Sequence, residues 1–234
     1  MKRFWLAVAL ALTGTLAQAQ VDPAVFPIDT ISPVLPQMML ENLLEEPGAQ
    51  ASHTPNAVEV TTYRASPTVS AQVKQRSVDF IRMSVSPEAA HQYDDILKRN
   101  DPVSNWATLV ADEGVHPGDV AEALASYWML NYLIANGLAD GPSGAGRAVA
   151  QQVRGVLTRN AAFRGLSEAQ RQEMAELVVL NFLTQQAAYS GAVKTRDSDL
   201  KRRLGTAAAT RFRREMGIDL REIALTPRGF AKRR

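Results

Sequence analysis

Two segments of this chain are apolar around almost the whole of a helical circumference, and that constrains what it can fold into more than any other feature. In VAEALASYWMLNYLIAN, Val120 to Asn136, polar residues before the terminal asparagine are confined to Glu122, Ser126 and Asn131. In MAELVVLNFLTQQAAY, Met174 to Tyr189, Asn181 interrupts the run from Leu177 to Leu183. A helix with no polar face must be enclosed. Neither segment is a membrane span, since Val120 to Ala139, the nearest to an apolar twenty-mer, carries Glu122, Asn131 and Asn136. The chain must therefore supply amphipathic helices of its own to surround these two.

The punctuation supplies them. Pro87, Pro102, Pro117 and Pro142 stand at or just before apolar-periodic runs, where the missing N–H of a proline costs nothing. Ser86-Pro87 opens a helix carrying Ala89, Ala90, Tyr93, Ile96 and Leu97. Asp101-Pro102 opens a shorter one with Trp106, Leu109 and Val110, stopped by Gly114. Asp119 with Glu122 forms a capping box for the first enclosed helix, and Gly137 is its stop. Ser167 with Gln170 does the same for the second, which ends near Gly191. A last helix places Leu200, Leu204, Ala208, Phe212 and Met216 every fourth residue and stops at Gly217. With Val73 to Val85 and Val149 to Leu157, about seven helices are expected in a domain spanning 69–217, an all-α irregular bundle. Alternation of period two occurs in Ile218, Leu220, Ile223 and Leu225, read as a strap within a basic C-terminal segment, 218–234. A lone strand there would leave its backbone unsatisfied.

Ahead of the bundle the composition changes. Lys2 and Arg3 precede an apolar run from Phe4 to Leu12, and Ala17-Gln18-Ala19 is a small-x-small cleavage pattern. Residues 1–19 read as a secretory signal peptide, because the apolar run is too short to be retained as a membrane anchor. Residues 20–68 hold seven of the twelve prolines and sustain no apolar period, as in an extended linker. Within it, Gln37 to Glu46 (QMMLENLLEE) has the makings of two helical turns, with Leu40, Leu43 and Leu44 on one side. A segment that short is marginal alone and needs a surface to dock on, either its own domain or a partner.

Charge and composition exclude several functions. The chain has no cysteine, which rules out disulfide scaffolds, thiolate metal clusters and cysteine nucleophiles. Its formal net charge of +2 comes from Lys2 and Arg3, so the processed chain would be neutral, a poor match to nucleic acid. The charges are nonetheless segregated, with 13 Lys and Arg against 5 Asp and Glu in residues 194–234. That region is either a patch for an anionic envelope component or protein partner, or a basic helix lying against acidic neighbours of its own. Gly141 to Ala148 (GPSGAGRA) has the two-glycine spacing of a phosphate loop but lacks its lysine and its hydroxyl, and follows a helix rather than a strand. Glu113, His116, Asp119 and Glu122 recur every third residue, but Pro117-Gly118 breaks the helical face a metal would need. No cofactor, metal site or catalytic residue is therefore expected. The residues nominated for binding are Trp128, Asn131, Asn181, Arg211, Arg213 and Arg214. Asn131 and Asn181 lie midway along the enclosed helices, where they would either pair to fix register or form a ligand-binding amide pair.

Three stretches, TYRASPTVSAQVKQRSVDFI from Thr62, DVAEALASYW from Asp119 and RQEMAELVVLNFL from Arg171, together with the closing LTPRGF, resemble a domain-of-unknown-function family of exported bacterial proteins. The likeness spans about Thr62 to Phe230. It implies an all-α exported domain and carries over no activity, cofactor or catalytic residue. The function expected is that of an exported, periplasmic or secreted helical module that binds a partner without catalysis. The alternative is a hydrolase of envelope material, which requires a carboxylate, His91 or His116 in a pocket that perturbs its pKa.

Overall fold

Pro67, Pro87 and Pro102 each occupy the first turn of a helix, the position where proline's fixed φ and missing N–H are compatible with helical backbone. They open α1 (Pro67–Ser84), α2 (Pro87–Arg99) and α3 (Pro102–Val110) in a computed structural model that describes residues 60–233. A 3-10 turn, Ala111–Glu113, follows α3. Then come α4 (Val120–Asn136), α5 (Ala145–Arg159), the single turn α6 (Ala161–Arg164), α7 (Glu168–Lys194) and α8 (Ser198–Met216). Strands β1 (Ile223–Thr226) and β2 (Gly229–Lys232) close the chain. The described residues are thus all-α apart from one small hairpin. The signal peptide expected over residues 1–19 and the segment Gln37 to Glu46 lie outside the described residues, as does the expected linker up to Glu59.

Local chemistry sets the helix ends. Ser86 Oγ accepts from Ala89 N at 3.1 Å, and Asp101 Oδ1 from Val103 N at 2.9 Å. Ser167 and Gln170 form the full reciprocal box at the start of α7, Gln170 Oε1 accepting from Ser167 N at 2.9 Å. At α4 the box is only half made. Asp119 Oδ1 caps Ala121 N at 2.7 Å, but Glu122 turns away to accept from His116 N and Arg154.

The two enclosed helices differ in how they are covered. Around α4 pack α5, α7 and α8, so all of Val120 to Ala135 except Glu122 is buried. Helix α7 is shared between two apolar clusters. Met174, Val178 and Phe182 join the main core with α4, whereas Leu177 and Leu180 meet Val73, Val78 and Ile81 of α1 and Tyr93 and Leu97 of α2. Burial on both flanks is why α7 has no polar face, each such side chain stabilising by roughly 1.5–3 kcal/mol. Helix α8 presents Leu204, Ala208, Phe212 and Met216 to the core, and Gly205 lets it come close to α4: a Cβ there would lie 2.9 Å from Ile134 O.

Two boundaries differ from the sequence reading. Residues 60–68 are part of the fold rather than linker, because polar side chains of α4, α5 and α7 bind them. Tyr63 N donates to Gly118 O at 2.9 Å, Gln172 accepts from Ser66 N at 2.8 Å and donates to Ser66 O at 2.9 Å, and Arg171 donates to Val60 O at 3.1 Å. Pro67 then opens α1, six residues before the expected start at Val73. The C-terminal strap is no lone strand either. The chain turns at Pro227-Arg228 and β2 pairs antiparallel with β1, Leu225 opposite Phe230, which satisfies the backbone groups that the two strands turn toward each other. Gln152 of α5 brackets this hairpin, accepting from Phe230 N at 2.9 Å and donating to Phe230 O at 3.0 Å. Phe230 itself meets the Tyr132 ring edge-on, with centroids 5.7 Å apart.

Candidate functional site

The nominated residues fall into two groups. Trp128 is wholly enclosed in the core, and its indole Nε1 has no hydrogen-bond partner. It is a packing residue rather than a surface for ligand. Asn131 and Asn181 are also fully buried, but what joins the helices at Asn131 is Arg211 of α8. Its Nη2 donates to Asn131 Oδ1 at 2.6 Å and to Gln185 Oε1 at 2.8 Å, and Asn131 Nδ2 donates to Tyr127 O at 2.8 Å. Gln185 Nε2 in turn donates to the Tyr127 hydroxyl at 3.3 Å. Arg211 is only 5% exposed, so it belongs to this internal network and not to the basic surface with which its neighbours in sequence had grouped it. The signal was available: Arg211 stands three residues after Ala208 and seven after Leu204, on the buried side of α8.

Arg213 and Arg214 are exposed, and they belong to a basic region formed by α8 and the hairpin. Arg213 pairs with Asp219. Burial alone would raise the Asp219 carboxyl, but hydrogen bonds from Arg221 N and Arg213, with the charges of both arginines, hold it below the ordinary carboxylate value. Arg203, Arg228 and Lys232 are also exposed. Cations converge on the C-terminal end of α4, where the unpaired carbonyls are partially negative. Arg221 Nε donates to Ala135 O at 3.1 Å, and Arg233 Nη2 to Asn136 Oδ1 at 3.4 Å. Just beyond, Leu138 is 40% exposed, and Met83 is the other large apolar side chain exposed among the described residues. The Tyr189 hydroxyl donates to Leu138 O at 3.2 Å, and Lys201 Nζ stands 5.8 Å from the Tyr189 ring centre. An exposed leucine flanked by Lys201, Arg221 and Arg233 is a surface suited to an acidic, partly apolar ligand.

Elsewhere Asp119, Glu122 and Glu113 have structural occupations. Arg154 Nη2 donates to Asp119 Oδ2 at 2.6 Å and Glu122 Oε1 at 3.2 Å, while Thr61 Oγ1 also donates to Asp119 Oδ2, at 3.1 Å. These bonds tie the incoming segment to α4 and α5. Among the described residues no group of three or more histidine or carboxylate side chains is placed to hold a metal ion. In the phosphate-loop-like turn, Gly146 N at the start of α5 donates to Glu113 Oε2 at 3.3 Å, so the anion at this helix terminus is a carboxylate of the protein. Burial pushes the Glu113 carboxyl above its usual value, opposed by that hydrogen bond. His116 is exposed, and His91, also exposed, lies 3.3 Å from Asp95 on the surface of α2. No helix of the described residues is long and apolar enough to cross a membrane.

These features define an all-α bundle whose long α4 and α7 are enclosed by shorter helices and sealed by a C-terminal hairpin. Residues 38–233 match the model of a family of unknown function, DUF6683, and the chain belongs to that family. No curated protein and no solved structure matches it.

Proposed function

We propose that this protein is an exported helical module, delivered by a signal peptide over residues 1–19, that binds an anionic envelope component or acidic protein partner through its basic C-terminal region and performs no catalysis of its own. The observation that supports this reading is the placement of the cations. Of the basic residues after position 193, Arg211 alone is buried among those described, while Arg203, Arg213, Arg214, Arg228, Lys232 and Arg233 are exposed on α8 and the hairpin. The internal pairs Arg202–Asp199 and Arg213–Asp219 neutralise only part of that charge. Exposed pairs of this kind contribute little to stability.

The test is co-sedimentation of the processed chain with cell-wall sacculi and with anionic or neutral lipid vesicles. Removing residues 194–234 would strip α8 and the hairpin from the core, so charge reversal is the suitable perturbation. Arg203→Glu, Arg228→Glu and Lys232→Glu together are expected to abolish binding to the anionic probes, with wild-type binding falling steeply as salt rises. Equal binding by wild type and the triple variant would overturn the reading.

A further inference from the structure

We infer that the Leu138 patch has an occupant within the same chain: the acidic segment of residues 38–46 docks on it in cis and competes with the external anionic partner. This inference rests on the function proposed above, since it names what regulates that surface.

Residues 20–59 contain six acidic side chains, Asp22, Asp29, Glu41, Glu45, Glu46 and Glu59, and no lysine or arginine. This is the reverse of the charge carried by α8 and the hairpin. Within that stretch the one leucine-rich cluster is also acidic, Leu40, Leu43 and Leu44 being interleaved with Glu41, Glu45 and Glu46. The patch offers the complement on a matching scale: one exposed leucine, Leu138, with Lys201, Arg221 and Arg233 around it and Asp140 as the single acidic residue of the following loop. Leucines at i, i+3 and i+4 form one apolar side when a segment coils against a surface.

Reach is sufficient. Thirteen residues separate Glu46 from Val60, enough to span about 45 Å when extended. Val60 lies by the N-terminal end of α4, where Thr61 bonds Asp119, and Leu138 lies just past its C-terminal end, about 28 Å away along the helix axis, so the tether reaches the patch. The family match supplies an independent reason to assign the segment to the domain: it begins at residue 38, at the start of this cluster, and not at the first described helix.

The test uses the whole processed chain, residues 20–234. Zero-length carbodiimide coupling joins a glutamate to a lysine that it touches, and peptide mass spectrometry of the monomer fraction reads the product. Coupling of Glu41, Glu45 or Glu46 to Lys201 or Lys232 is expected, and it should fall sharply in the variant Leu40→Asp, Leu43→Asp, Leu44→Asp, which keeps every glutamate. Neutralising the glutamates (Glu41→Gln, Glu45→Gln, Glu46→Gln) should tighten binding to anionic vesicles by at least about fivefold, because a competitor has been removed. Absence of these cross-links from the monomer, or their occurrence only between two chains, would overturn docking in cis. If vesicles bind wild type and the neutralised variant equally well and no cross-link forms, docking fails while the proposed function stands. If the cross-links form and neither protein binds an anionic probe, docking stands and the proposed function fails.

Discussion

Arg211 donates to Asn131 across 2.6 Å inside the bundle, and the same guanidinium nitrogen reaches Gln185 at 2.8 Å, so one side chain of α8 joins α4 to α7. A buried cation that binds two amide oxygens gives the three helices a mutual register that apolar contacts alone would not impose. The arrangement is costly to break, because removing one member leaves the other polar groups buried and unpaired.

Replacing Arg211 by methionine, which retains most of the apolar stem, should therefore destabilise the protein by about 3 kcal/mol. Arg203, exposed on the same helix, provides the contrast, as its replacement by alanine should change stability by no more than about 0.5 kcal/mol. Urea unfolding followed by circular dichroism separates the two. Equal midpoints for both variants would mean that the Arg211 network contributes nothing to stability.

Trp128 supplies a second measure of the core. Its ring is fully enclosed, so Trp128→Ala should cost about 3–5 kcal/mol through lost burial and the cavity left behind. Trp128→Phe should cost clearly less, since the indole N–H that it removes has no partner to lose. A near-neutral alanine variant that has lost only partner binding would return Trp128 to the role of contact residue.

The helices were legible wherever the determining chemistry is local. Proline at a first turn, Ser86, Asp101 and Ser167 as caps, and glycine stops at Gly137 and Gly217 act within a few residues, and the structure places helix ends where they stand. The enclosure of α4 and α7 was legible because a helix without a polar face has nowhere else to go. What escaped was decided by residues distant in sequence. The partner of β1 depends on Gln152, 78 residues before Phe230, and β2 carries too little apolar alternation to announce itself. Docking of residues 60–66 depends on Gln172 and Arg171, over 100 positions away. For the candidate surface, the sequence yielded the excess of basic residues but not their sorting, and grouping Arg211 with Arg213 and Arg214 ignored the helical period that turns it inward.

The Asp219 carboxyl provides a pH signature. Its native pKa lies below the unfolded value, so its charged form stabilises the fold above the ordinary carboxylate range near 3.9, and that contribution is lost as pH falls through the native pKa. Asp219→Asn keeps an oxygen for Arg221 N but removes the charge facing Arg213. Wild type should be the more stable at pH 7, and the difference should shrink as pH falls below the ordinary carboxylate range. A gap in unfolding midpoint that stays constant from pH 7 to pH 2 would assign the effect to hydrogen bonding rather than charge.

Two helical glycines should respond to alanine with opposite signs. At Gly205 the new methyl would stand 2.9 Å from Ile134 O, a backbone atom of α4, so α8 must move away from its neighbour. Such overpacking costs about 1–3 kcal/mol, more than the helix propensity gained. At Gly191, within α7, no atom apart from its chain neighbours and the helix's own backbone lies within 4 Å of the added carbon, and Gly191→Ala should stabilise by about 0.5–1 kcal/mol through the unfolded chain's lost freedom. Propensity alone predicts the same gain at both sites, so thermal midpoints that rise together would show that α4 and α8 do not approach as closely as their backbones are placed.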